Sequence, residues 1–96
     1  MKNLKLDLFS DPSHAWLKVP LKMLERMSVS RSITEFSYIR GQFAYLEEDI
    51  DLGRFAKACE LHGVRLRIRS NYSDRASRIR NYDRYSFTNF QKGLNT

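Results

Sequence analysis

Between Val64 and Arg69 the chain reads Val-Arg-Leu-Arg-Ile-Arg, a strict alternation of apolar and guanidinium side chains. Successive side chains of a strand point to opposite faces, whereas a helix would spread the same arginines around its circumference. The segment therefore predicts a strand with one buried face and one face carrying Arg65, Arg67 and Arg69. Leu4, Leu6 and Leu8 alternate with Lys5 and Asp7 in the same way near the other end of the chain. A chain with two such segments must build a sheet with a covered side and a charged side.

Between them, Ser10-Asp11-Pro12-Ser13 is a turn signal. Leu17, Pro20, Leu21, Leu24 and Met27 recur at roughly helical spacing and predict a short helix over about residues 19–28, with Pro20 in the first turn where its missing N–H costs nothing. Residues 33–40 and 42–47 are rich in β-formers, and Arg40-Gly41 between them predicts a hairpin. Asp49 or Asp51 can cap a following helix whose Leu52, Phe55, Ala56 and Cys59 share one face, with Gly63 at its end. The resulting order is β-α-β-β-α-β. It predicts an α+β domain of the split βαβ, ferredoxin-like kind: a four-stranded antiparallel sheet with two helices on one face. Residues 1–69 form the expected domain. Residues 70–96 follow as a basic, Arg/Tyr-rich extension in which Ala76, Ile79 and Tyr82 mark one or two helical turns.

With 96 residues, the chain is one domain at most. There is no apolar run long enough for a membrane span and no signal-peptide stretch at the start. A single cysteine, Cys59, cannot make an internal disulfide, which fits a reducing cytoplasm. The net charge of +6 is segregated. Residues 1–63 carry nine Lys/Arg against nine Asp/Glu, while residues 64–96 carry seven arginines and Lys92 against Asp74 and Asp83. A localised basic patch condenses onto phosphates where scattered charge does not, although a basic tail can also serve solubility alone.

The candidate binding surface combines Arg65, Arg67 and Arg69 with Phe43 and Tyr45, which share a face of their strand opposite Ala44 and Leu46. If Ala44 and Leu46 face the core, the aromatics stand beside the arginines; in the other reading Phe43 and Tyr45 are core. Arg75, Arg78, Arg80 and Arg84, interleaved with Tyr72, Tyr82 and Tyr85, continue the composition. Arginine neutralises phosphate and stacks on bases, and aromatics supply stacking platforms for single strands. Arg40-Gly41-Gln42-Phe43-Ala44-Tyr45-Leu46 resembles the central-strand motif of RNA-recognition domains with Gln42 inserted.

Glu47, Glu48, Asp49 and Asp51 form an acidic run. It suits a helix N-terminus, a Mg²⁺ site if a second acid cluster joined it, or a patch that contacts a basic partner or the protein's own arginines. His14 beside Trp16 packs on a loop in the simplest reading, and Cys59 with His62 is half a zinc site at best. No Ser/His/Asp or Cys/His set assembles. The expectation is a non-enzymatic binder without metal or cofactor.

The stretches Ser10–Val19 (Ser-Asp-Pro-Ser-His-Ala-Trp-Leu-Lys-Val), Tyr38–Gly41, Tyr45–Asp49 (Tyr-Leu-Glu-Glu-Asp) and Ser77–Tyr82 resemble a family of small phage, prophage and plasmid proteins. The resemblance implies a bacterial host cytoplasm and a mobile element, and it brings no activity. Two functions follow as expectations: binding to nucleic acid or a nucleoprotein, or inhibition or adaptation of a host defence or nucleic-acid enzyme by protein contact, with the acidic and basic blocks setting register. Exposed strand edges would allow a dimer.

Overall fold

The computed structural model describes residues 2–96. Along the chain run β1 (Lys2–Ser10), β2 (Ala15–Pro20), α1 (Leu21–Arg26), β3 (Tyr38–Arg40), β4 (Phe43–Glu47), α2 (Asp51–Leu61), β5 (Val64–Tyr72), a 3-10 turn (Arg78–Asn81), β6 (Asp83–Arg84) and α3 (Phe87–Leu94). The strands form a six-stranded sheet in the order β5-β1-β2-β4-β3-β6. β1 and β5 pair in parallel, and the other neighbours pair antiparallel.

The α+β class is as expected, but the four-stranded ferredoxin-like sheet is not what forms. Ala15–Pro20, expected to lead into a helix, is a strand. Ala15, Leu17 and Val19 face the helices, and Trp16 faces the other way into a second apolar cluster. Because both faces of β2 bury apolar groups, period two is hidden in the sequence. The helix starts only after Pro20 and keeps Leu21, Leu24 and Met27 in the core. β2 enters the sheet between β1 and β4, so β4 reaches β5 by a crossover through α2 that passes β2 and β1.

Residues 33–37 were expected as strand and instead form turns, because a buried carboxylate collects their donors. Asp51 is fully buried. It accepts from the Thr34 N–H at 3.0 Å, the Thr34 hydroxyl at 2.7 Å and the Ser37 hydroxyl at 2.5 Å. Side-chain acceptors of this kind compete directly with a strand ladder. The hairpin is as expected, with Gly41 at φ +60 in its turn, and Gly63 at φ +68 ends α2.

The boundary expected after residue 69 does not divide the fold. β5 continues to Tyr72, β6 pairs with β3, and Tyr85 and Phe90 lie in the main core with Phe55, Leu17 and Leu46. The Ser86 hydroxyl caps α3 through the Asn89 N–H at 3.0 Å. Gly93 lets this helix close on α1 and the hairpin turn: a Cβ there would stand 2.5 Å from Leu21 Cδ1 and 2.6 Å from the Gly41 carbonyl oxygen. Among the described residues no helix is long and apolar enough to cross a membrane.

Candidate nucleic-acid interface

Strand register decides which side chains share the face away from the helices. Leu4, Leu6 and Leu8 lie opposite Leu66, Ile68 and Ser70 on the helical side. Asn3, Lys5 and Asp7 therefore stand beside Arg65, Arg67 and Arg69 on the other side. The same rule places Lys18 of β2, Phe43, Tyr45 and Glu47 of β4, Tyr38 and Arg40 of β3, and Arg84 of β6 on this face. Ala44 and Leu46 are fully buried under the helices. Ala44 and Leu46 thus face the main core, yet Tyr45 on the opposite side of β4 is buried as well, in the second cluster.

The far half of this face is roofed. Residues 73–82 cross it as a strap, seating Ile79 and Tyr82 against Trp16, Tyr45, Phe9 and Tyr38. The strap is held by Asp11, a buried carboxylate in the β1–β2 turn. Asp11 accepts the Ser77 N–H at 2.8 Å and the Ser13 and His14 N–H groups at 3.0 Å, and Arg80 Nη2 binds it at 3.0 Å. The Ser77 N–H above all, with the His14 and Ser13 N–H groups and Arg80, holds the Asp11 carboxyl far below the ordinary carboxylate range. Tyr45 is consequently only 8% exposed, with the Tyr82 ring 5.0 Å away. It is a wall of the second core and not a free stacking platform, whereas Phe43 remains 36% exposed beneath Lys18 Nζ at 4.3 Å.

The near half is open and basic. Arg65 and Arg67 project from β5 next to Lys5, and Lys18 and Arg40 continue the charge across β2 and β3. Among the described residues the ion pairs are Lys57–Glu60, Arg69–Asp7 and Arg80–Asp11. Arg69 donates through Nε to Asp7 at 2.6 Å, which lowers the Asp7 carboxyl and raises the Arg69 guanidinium. Arg65, Arg67, Lys5, Lys18 and Arg40 have no carboxylate partner in that set. Arg75 and Arg78 are exposed on the strap, and Arg78 edges a recess of about 290 Å³ with Phe9, Lys18 and Tyr82.

The acidic run is used locally. Glu47 accepts the N–H groups of Asp49, Ile50 and Asp51 at 2.7, 2.7 and 2.6 Å, so it caps α2 from two residues before Asp49 and four before Asp51, the acids expected to do so. Asp51 is turned inward, and Glu48 and Asp49 are exposed. The protein's own arginines therefore do not neutralise this block. No group of three or more potential metal ligands occurs among the described residues.

The sequence reading did not single out Lys5, Lys18, Arg40, Trp16 and Tyr38 for this face. Lys5 and Lys18 alternate with the core residues of their strands, and that signal was readable in β1. In β2 it was hidden by Trp16. Beyond the strap, Trp16, Tyr38, Phe36, Glu47, Asp49, Arg80 and Arg84 line a cleft of about 340 Å³. Arg80 lies over the Trp16 ring at 5.2 Å and Arg84 over the Tyr38 ring at 4.9 Å. No protein-family model, curated protein or solved structure matches the chain.

Proposed function

We propose that the protein is a non-enzymatic accessory factor of the phage or plasmid kind that binds nucleic acid through the open half of its sheet. The observation that carries the proposal is the set of cations Lys5, Lys18, Arg40, Arg65 and Arg67 on one face, none of them in an ion pair among the described residues, with Lys18 over Phe43 and Arg40 over Tyr82. Neighbouring strands lie about 4.8 Å apart, so the row from β5 to β3 spans about 19 Å. A single strand laid across the β-strands meets a cation on four of the five strands it crosses, with Lys18 seated on the Phe43 ring. A duplex is rigid and broad, and the strap rising at one side of this face favours a flexible strand.

Fluorescence anisotropy with labelled single- and double-stranded DNA and RNA at low salt tests the proposal. Binding to single strands that weakens steeply with salt is expected; absence of binding to all four at low salt refutes it. A second reading is protein contact through β5, whose outer edge has no strand neighbour among the described residues and whose Tyr72 is 68% exposed. A partner captured from host lysate that survives nuclease treatment and is lost on Tyr72→Ala would favour that reading.

A further inference from the structure

The cleft beyond the strap has features that the open basic face lacks, and we infer that it is a site for a guanine nucleotide, with the phosphate at Arg80 and Arg84 and the base edge at Asp49. Its volume of about 340 Å³ is in the range of small-ligand pockets and suits one nucleotide. Its floor is aromatic: Trp16 and Tyr38 meet edge to face at 6.3 Å, and Phe36, 61% exposed, stands at the rim with its ring uncovered. Trp16 is buried, and its ring and that of Tyr38 carry the two arginines, so Phe36 offers the free ring face on which a planar ligand can stack.

The two guanidiniums are positioned in advance. Arg80 is clamped by buried Asp11 through Nε and Nη2 and laid on Trp16, and its Nη1 has no hydrogen-bond partner among the described residues. Arg84 is anchored through Nη1 to the Glu35 carbonyl oxygen at 3.3 Å and laid on Tyr38, which leaves Nε and Nη2. Side chains fixed in this way bind an anion with little further loss of rotamer freedom.

Glu47, which also lines the cleft, spends both carboxylate oxygens on the N–H groups that open α2. Asp49 is exposed, and its carboxylate has no donor or cation among the described residues. A ligand that meets all of these groups carries an anion for the two guanidiniums, a planar ring for Phe36 and paired N–H donors for Asp49. Guanine presents N1–H and the N2 amino group side by side, which a carboxylate accepts as a pair. Adenine presents an acceptor at N1, which a carboxylate repels. The same chemistry can come from a free nucleotide or from the 5′-phosphorylated end of a strand. The site uses none of the cations on the open face, so it stands apart from strand binding there.

Calorimetric titration with GMP and AMP tests the inference, together with 5′-phosphorylated oligonucleotides beginning with G or A. One bidentate base contact predicts GMP binding about tenfold to a hundredfold tighter than AMP. Asp49→Ala should remove that preference by weakening GMP while AMP binds no more weakly than before; Asp49→Asn, which keeps size but not charge, should do the same. Arg84→Gln should weaken both nucleotides. Circular dichroism melts of each variant separate a lost contact from a lost fold. A phosphorylated strand beginning with G that competes with GMP marks strand ends as a source, and one that does not marks the free nucleotide. No GMP binding at millimolar concentration, equal affinity for GMP and AMP, or a preference that survives Asp49→Ala would overturn the inference. Arg65→Gln/Arg67→Gln should weaken strand binding on the sheet about 25-fold at 0.1 M salt yet keep GMP binding, so the two proposals fail separately.

Discussion

Replacing Arg65 and Arg67 by glutamine removes two cations from β5 and touches no recorded ion pair. Both side chains are exposed and point away from the helices, so the fold should persist. Each phosphate neutralised on a single strand releases about 0.7 of a counterion, so engagement of Lys5, Lys18, Arg40, Arg65 and Arg67 predicts a slope of log affinity against log salt of about −3.5. From 50 to 200 mM salt the wild type should lose affinity about 130-fold, and the double variant, with a slope of about −2.1, only about 18-fold. At 0.1 M salt the variant should bind about 25-fold more weakly than the wild type, equivalent to about 1.9 kcal/mol. Anisotropy of a labelled single strand of eight or more nucleotides at several salt concentrations reads both numbers. Lys22→Gln/Lys57→Gln removes equal charge from the helical side and is the control. If the slope of the β5 variant stays at the wild-type value, or the control loses as much, the sheet face is not where phosphates bind and net charge alone explains any affinity.

Other perturbations address the elements that shape this face. Asp51→Ala strands the Thr34 N–H and the Thr34 and Ser37 hydroxyls, and should cost about 2–4 kcal/mol in urea unfolding; a loss below about 1 kcal/mol would mean that water replaces the carboxylate. Gly93→Ala drives a methyl against the Gly41 carbonyl and Leu21, and should cost about 1–3 kcal/mol by the same measurement; unchanged stability would show that α3 shifts freely. The Asp11 carboxyl is depressed in the folded state, so its contribution is fully present at neutral pH, begins to fall below the ordinary value of 3.8, and is gone once pH passes below the folded value. The stability gap between wild type and Asp11→Asn should therefore be widest near neutral pH and narrow steadily below pH 3.8; a gap independent of pH would show that the carboxylate charge does not hold the strap.

Local chemistry alone reveals part of this architecture. Leu4/Leu6/Leu8 and Val64/Leu66/Ile68 alternate so strictly that two strands and the outward direction of Arg65, Arg67 and Arg69 follow from steric periodicity. Gly41 and Gly63 mark a hairpin turn and a helix end because their positive φ is costly for other residues. Tertiary structure alone decides the rest. β2 escapes notice because Trp16 is apolar on the face where alternation calls for a polar residue, and only the strap supplies the apolar cluster that receives it. Residues 33–37 have strand propensity, yet Asp51, distant in sequence, takes their donors. Tyr45 and Arg80 look like free binding groups in the sequence. Tyr82 covers one and Asp11 clamps the other, because residues 73–82 fold back across the sheet. The charge of the last third is thus visible in composition, but which arginines remain free is set by contacts more than sixty residues apart, as with Asp7–Arg69 and Asp11–Arg80.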